Sequence, residues 1–537
     1  MNTDRSLRRG ALLALLALAV AGASAHAGSA TATAPWAIAP YATATFWGSA
    51  GADFGNTRYA PLEWRINRHS VGQLQLAWSF TTAGNITTAP TVEGNALYVP
   101  DWGGMLYRLD ADTGIAVWSR KLSDWTGIAR SLSRNSPAIG PDSIVLGDHS
   151  SGTVMAVDKT TGELLWQTLV DAHPDALITA SPVIVGNRIY VGVSSSEESH
   201  RDAGHEFSFR GSVVALDLRT GAVEWRFNTV PAGYSGGAIW GGMAIDPLRR
   251  RLYAATGNNY VLPAAVNTCV GKAGSDATAQ IACLAPDDYL DAVVSLDLDS
   301  GALRWASRLQ GLDIWTKLCT LFPASPQCPD PLGPDYDFSG GGTNLFTVRA
   351  GGKLRQWVGA SQKSGVYWAL DAETGKTVWS TQVGPGSLQW GAAVDSYRSR
   401  IYLALNNTEH TPYLLAPHYQ QSWNAGSWAA LDAVTGRILW QVPVAGTSPV
   451  DPSYGGDGLG AVTASPGVVY AGSTSGDLVA LDAGNGSTLW HFTTPGSVIS
   501  GPAVVGGALY WGSGYYAPLT GNNKLYKFEL PRPLSPH

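Results

Sequence analysis

Between Ser235 and Tyr260 one stretch of chain offers two kinds of chemistry. Trp240 stands among Gly236, Gly237, Gly241 and Gly242, so little side-chain bulk crowds its ring and a flat ligand can approach the indole face. After a turn at Asp246-Pro247, the run Leu252-Tyr253-Ala254-Ala255 reads as a strand that ends in Thr256-Gly257-Asn258-Asn259. The amide oxygens at that end suit a hard cation. The same residues also fit a glycine-rich turn around one packing tryptophan, and the rest of the chain must decide between the two. Other catalytic signatures fail. Gly375-Lys376-Thr377 is like the end of a phosphate-binding loop, but Leu370 stands where its first glycine belongs. No GxGxxG run opens a helix, and the histidines show no HExxH or comparable metal spacing.

The elements that must hold such a site repeat. An apolar residue and Asp, two variable residues, usually Thr, then Gly, three more residues and Trp recur seven times, from Leu109-Asp110 to Trp118 through Leu481-Asp482 to Trp490. The residues before each Asp, such as Val213-Val214-Ala215-Leu216, form a strand. The Asp and Thr side chains cap turn amides, and Gly takes positive φ. A second strand then delivers Trp into the wedge between neighbouring sheets, a structural role for all seven. Each unit supplies about four short strands, the size of a propeller blade. After the last copy, Ala503-Val504-Val505, Leu509-Tyr510-Trp511 and Leu525-Tyr526-Lys527-Phe528 still need a partner, and Leu74-Gln75-Leu76-Ala77-Trp78 near the N-terminus supplies one. An all-β propeller of eight blades is expected, the last closed by N- and C-terminal strands so that no sheet edge is left open.

The bulk properties agree. Arg5, Arg8 and Arg9 precede an apolar run from Ala11 to Ala23, and Ala25-His26-Ala27 is a small-x-small cleavage site, so 1–27 reads as a secretory signal. The mature part, 28–537, reads as a single propeller, periplasmic or secreted and with no membrane span. A formal charge of −6, or −8 once the signal's three Arg and one Asp are removed, makes nucleic acid a poor partner. All four cysteines fall in one region. In an oxidising compartment they pair most simply as Cys269–Cys283 and Cys319–Cys328, one of three possible pairings. Disulfide-bearing insertions fall at about 262–345, on either side of the fourth docking repeat, and such insertions on a repetitive scaffold are where function gathers.

Taken together, the docking repeat, Trp240, Thr256-Gly257-Asn258 and the N-terminal run Gly51-Ala52-Asp53-Phe54-Gly55-Asn56-Thr57-Arg58-Tyr59 resemble the PQQ-dependent alcohol dehydrogenases. Ser194-Ser195-Ser196-Glu197-Glu198, Asp335-Tyr336-Asp337-Phe338 and Gln362-Lys363-Ser364-Gly365 are most like the polyvinyl-alcohol dehydrogenase subgroup. The resemblance implies an eight-bladed propeller holding pyrroloquinoline quinone (PQQ) and a metal ion near its axis. Trp240 matches the floor beneath the quinone. Glu197 and Asn258 match the metal ligands, with Glu198 as the alternative, and Asp337 matches the catalytic aspartate beside the metal. Lys363 matches the cation near the quinone carbonyls, and Thr179, Arg134, Arg210 and Asn406 fall near cofactor-contact positions. Ser339, where lanthanide enzymes carry a second Asp, implies Ca²⁺. An alcohol, secondary or polymeric, is the implied substrate. With no haem domain in the chain, a separate cytochrome c or another acceptor takes the electrons. There is no adjacent Cys pair to cover the quinone. The rival expectation is a non-enzymatic propeller like the outer-membrane assembly scaffold, built from the same repeats.

Overall fold

The computed structural model describes residues 45–531, except 203, 326, 327, 329–334 and 339. The signal-like segment and Ser339 therefore lie outside the described residues. The docking turn shows why the repeat has its composition. In the copy at Leu370, Asp371 Oδ1 accepts the backbone N–H of Thr374 at 2.9 Å and its hydroxyl at 2.9 Å. Gly375 follows with φ of 70°, in the left-handed region that favours glycine. A Cβ there would lie 2.5 Å from the ring of Trp305 in the preceding blade, whose Nε1 donates to Ala372 O at 3.2 Å. Both the backbone angle and the close approach of the indole therefore require glycine. The same relation links Gly301 to Trp225, Gly436 to Trp379 and Gly486 to Trp440.

Eight antiparallel blades result. In the third, Val183–Val185, Arg188–Ser195, Ser212–Asp217 and Val223–Asn228 run outward from the axis. Ser212–Asp217 is buried on both faces but for its last residue, whereas the outermost strand, Val223–Asn228, is partly exposed. That is the pattern expected when sheets pack face to face around a ring. Core residues of adjacent blades interlock: Val213 and Ala215 of the third pack with Ile245, Leu252 and Ala254 of the fourth.

Closure follows the expected route. Ala503–Val505, Ala508–Ser513 and Lys524–Glu529 form the inner strands of the last blade, and Gln75–Thr81 pairs with Lys524–Glu529 as its outer strand. Trp78 then plays the docking role for this blade, its ring 2.6 Å from where a Cβ on Gly114 would be. Trp490 Nε1 donates to Leu74 O at 3.0 Å and completes the ring. On either side of the blade strands Ala292–Asp297 and Leu303–Arg308 the cysteine-bearing insertions depart from strand structure: Ala264–Ala273 and Ala277–Ala282 are helices joined by Cys269–Cys283, and Cys319–Cys328 secures the helix Lys317–Leu321.

Candidate active site

Every blade sends the turn before its innermost strand to one place. Thr87–Ala89, Arg134 and Ser136, Thr179 and Ser181, Trp240–Gly242, Gly340, Trp390, Ala461 and Ile499–Gly501 line a single cavity, which therefore lies on the propeller axis. Trp240 precedes the inner strand Ala244–Asp246, and Trp390 precedes Ala393–Asp395 at the corresponding position two blades on. Sequence reasoning passed over Trp390, although Trp390-Gly391-Ala392 echoes Trp240-Gly241-Gly242.

The cavity is cationic. Arg134 lies between two indoles, its guanidinium carbon 4.6 Å from the Trp390 ring centre and 5.2 Å from that of Trp102. Arg58, from the N-terminal motif, is buried, and burial lowers its guanidinium to about 10 with no anion to offset the effect. The Thr179 hydroxyl and the Trp390 Nε1 are buried without a hydrogen-bond partner among the described residues. Buried donors and a desolvated cation in one cavity are costly unless an anionic ligand meets them.

Beside this cavity, Gly340 leads into the loop that carries Asp337. Asp337 is 2% exposed, and Lys363 Nζ lies 2.7 Å from its Oδ2 and 3.7 Å from Asp335 Oδ2. The two backbones are also tied, Lys363 N–H donating to Asp337 O at 3.0 Å. Phe338 N–H donates to Thr256 O at 3.4 Å, which brings Asp337 next to the Thr256–Asn259 strand end. There Asn258 Nδ2 donates to the carbonyls of Asn259 (2.8 Å) and Trp315 (2.9 Å), so its oxygen is the atom left for a cation.

The two glutamates part company. Glu197 is fully buried, and its carboxylate is engaged by residues of its own loop. Oε1 accepts the N–H of Ser208 at 2.8 Å and lies 3.2 Å from His205 Nε2, while Oε2 accepts the N–H of Phe209 at 2.9 Å. Glu198 faces the catalytic loop. Burial raises its carboxyl to about 7, with the Lys363 charge opposing and the Asp337 and Asp335 charges adding. Both occupy a 3₁₀ turn, Glu197–Ser199, where successive side chains diverge by about 120°, so only one of the neighbours can face the site. Geometry thus moves the carboxylate beside Asp337 from Glu197 to Glu198.

Two cofactor-contact expectations also miss the cavity. Arg210 donates through Nε (2.9 Å) and Nη2 (2.7 Å) to Val230 O. Asn406 is buried with its Oδ1 unpartnered, but it does not line the axial cavity. Conversely, Asp291, Asp313 and Asp335 were not foreseen. Asp291 and Asp313 are buried, and burial together with the other carboxylates holds both well above the usual range, against the pull of Lys363. For Lys363, burial alone would lower the ammonium, but Asp337, Asp335 and Glu198 outweigh it and raise it. One ammonium among five carboxyl groups cannot balance them all, and the raised Asp291, Asp313, Asp335 and Glu198 carboxyls hold protons more readily than free ones.

Comparison with known proteins agrees with this architecture. Residues 47–386 match the family model "Glucose/ethanol/alcohol dehydrogenase, beta-propeller domain", a PQQ family. The chain belongs to that family. A polyvinylalcohol dehydrogenase of a Pseudomonas species is 29% identical over 89% of this chain and 74% of its own length. Another, from a Sphingopyxis species, is 29% identical over 83% of this chain and 69% of its length. The solved quinohemoprotein alcohol dehydrogenase of Comamonas testosteroni superposes with a TM-score of 0.69 at 19% identity, covering 92% of this chain and 82% of that one, a likeness of fold. Residues 424–529 match the model "Outer membrane protein assembly factor BamB"; they carry two of the docking repeats.

The residues present fit the family's cofactor. A quinone bearing carboxylates would meet the buried Arg58, the indole-stacked Arg134, and the Thr179 hydroxyl and Trp390 Nε1 that lack a partner among the described residues, with Trp240 as a flat wall. Glu198, Asn258 and Asp337 offer oxygens of the type a hard cation takes.

Proposed function

We propose that this protein is a PQQ- and Ca²⁺-dependent dehydrogenase that oxidises a secondary or polymeric alcohol to a ketone or aldehyde. The observation that carries the reading is the pairing of a cationic axial cavity with the buried Asp337–Lys363 pair at its edge. When bound, the quinone supplies the two-electron acceptor that no side chain offers, and the ion supplies Lewis acidity beside it. Trp240 supports the ring, and Arg134 and Thr179 fix its orientation. Glu198 and Asn258, with Asp337, hold the ion. Asp337 takes the alcohol proton. Lys363 at 2.7 Å orients the carboxylate.

An aromatic group supports a large, partly apolar substrate. Trp102 packs 5.7 Å from Tyr515 and 5.5 Å from Tyr516, centre to centre, and Tyr516 is half exposed. Tyr516 feels the charges of both Arg134 and Glu198, so this aromatic face borders the cavity and the catalytic carboxylates. Such a face suits the carbon backbone of a polyalcohol. The signal-like N-terminus favours periplasmic work, with a separate cytochrome c or other acceptor receiving the electrons. A BamB-like scaffold would explain the repeats but gives no role to the carboxyl cluster around Lys363. Incubation with PQQ and Ca²⁺, followed by dye reduction with a secondary alcohol and with polyvinyl alcohol, tests the reading. No quinone absorbance and no turnover would favour the scaffold.

A further inference from the structure

The far side of the glutamate turn carries a cluster that the reaction above does not use. His173, Asp175, Glu197, His200 and His205 converge there from two loops on either side of the strand Arg188–Ser195. His200 Nε2 lies 3.0 Å from Asp175 Oδ2, and His205 Nε2 lies 3.2 Å from Glu197 Oε1. The rings of His200 and His205 are stacked, 3.8 Å between centres and 5° from parallel, so their Nε2 atoms reach carboxylates of one cluster. One ligand atom from each of Asp175, His200 and His205 lies within 4.8 Å of the other two. Tetrahedral ligands around a transition metal, with bonds of about 2.0–2.1 Å, stand roughly 3.3 Å apart, and a bound ion lies in the plane of each imidazole, so closing the site draws the three ligand atoms together and turns one imidazole out of the stack.

We propose that Asp175, His200 and His205 form a binding site for a borderline divalent transition metal of the Zn²⁺ or Cu²⁺ type, separate from the quinone site. Two imidazoles and one carboxylate are ligands such ions accept, and hard Ca²⁺ favours all-oxygen sets. His173 is a positioning residue, not a ligand. Its Nδ1 accepts the N–H of Asp175 at 3.2 Å, which leaves the hydrogen on Nε2, facing Ser208 Oγ at 3.1 Å and Glu197 Oε1 at 3.4 Å. Glu197, buried and held by the N–H groups of Ser208 and Phe209, places a fixed negative charge beside the incoming ion and accepts from neighbouring imidazoles, as outer carboxylates do at metal–histidine sites. Binding displaces a proton from any ligand imidazole that is charged. It also fastens the turn whose other side presents Glu198 to Asp337, which links the metal to the geometry of the quinone site.

The test uses the full mature chain, stripped with a chelator and reloaded with PQQ and Ca²⁺. Cu²⁺, the tightest binder among these ions, is titrated as an electron-spin-resonance probe, with Zn²⁺ as competitor. The expected result is one tight equivalent of Cu²⁺ showing splitting from two imidazole nitrogens, displaced by Zn²⁺. His200→Gln and His205→Gln should each remove one nitrogen, and Asp175→Asn should weaken binding at least tenfold. His69→Gln and His418→Gln, at exposed histidines elsewhere, should change nothing. Near-ultraviolet circular dichroism of the metal-free single variants confirms their fold. A spectrum without nitrogen splitting, or one unaltered in both single His variants, would overturn the proposal.

Discussion

Glu198→Gln separates the two adjacent glutamates by thermodynamics. The free carboxyl titrates near 4.5 and that of Glu198 in the folded chain near 7. Between those values the folded state binds the proton more tightly than the unfolded state, so stability of the cation-free protein falls as pH rises from 4.5 and levels off above 7. A change from 4.5 to about 7 corresponds to about 3 kcal/mol at ~1.36 kcal/mol per tenfold change, an upper figure because Glu198 is partly open to solvent. Glutamine cannot ionise. The variant should therefore be more stable than the parent at pH 8 by up to about 3 kcal/mol and equal to it near pH 4.5. It should also lose the stabilisation that Ca²⁺ gives the parent. Glu197→Gln should behave in the opposite way, because it weakens charge-assisted hydrogen bonds from Ser208 and Phe209 and so destabilises by ~1–3 kcal/mol with or without Ca²⁺. Urea unfolding at pH 5 and pH 8, with and without Ca²⁺, reads all four combinations. If Glu198→Gln gives no gain at pH 8, or keeps the full Ca²⁺ increment, Glu198 does not face the ion.

Three further outcomes follow from the same geometry. Gly375→Ala combines a left-handed backbone, ~1–2 kcal/mol, with a Cβ pressed on Trp305, ~1–3 kcal/mol, and should lower the thermal midpoint clearly; an unchanged midpoint would refute the docking argument. Thr179→Val removes a buried hydroxyl that has no partner among the described residues. It should leave the quinone-free protein as stable as the parent or more so, yet weaken PQQ binding roughly tenfold, the equivalent of one hydrogen bond of about 1.4 kcal/mol, as read by quenching of tryptophan fluorescence. Trp390→Leu, which frees one face of Arg134, should also weaken PQQ binding, while the same change at Trp379, a docking residue, should act on stability.

The ring of blades was legible because the repeat encodes local events: an Asp that caps a turn, a Gly that must be left-handed and a Trp that needs that Gly beneath it. Even the shared last blade could be read, since Ala503–Val505, Ala508–Ser513 and Lys524–Glu529 lacked only an outer strand. The position of Trp240 on the axial cavity was legible because its glycines fix the turn that carries it. The site was not legible where direction decides. Glu197 and Glu198 are adjacent in sequence, and only the phase of a one-turn 3₁₀ helix says which faces Asp337. Arg210 sits at a plausible position, yet its guanidinium turns to Val230 O. The histidine cluster escaped notice because His173 lies on a different loop from His200 and His205, and only the strand between them brings the loops together.

In the proposed reaction Asp337 takes the alcohol proton from a substrate beside the quinone in the axial cavity. Single-turnover reduction of the bound quinone by a secondary alcohol, followed by absorbance in the parent and in Asp337→Asn, tests it most directly. Equal quinone loading is expected in both proteins, with a reduction rate that falls by roughly 10²–10⁴-fold in the variant. Reduction at the parental rate in Asp337→Asn, or a parent chain that takes up no quinone, would contradict it.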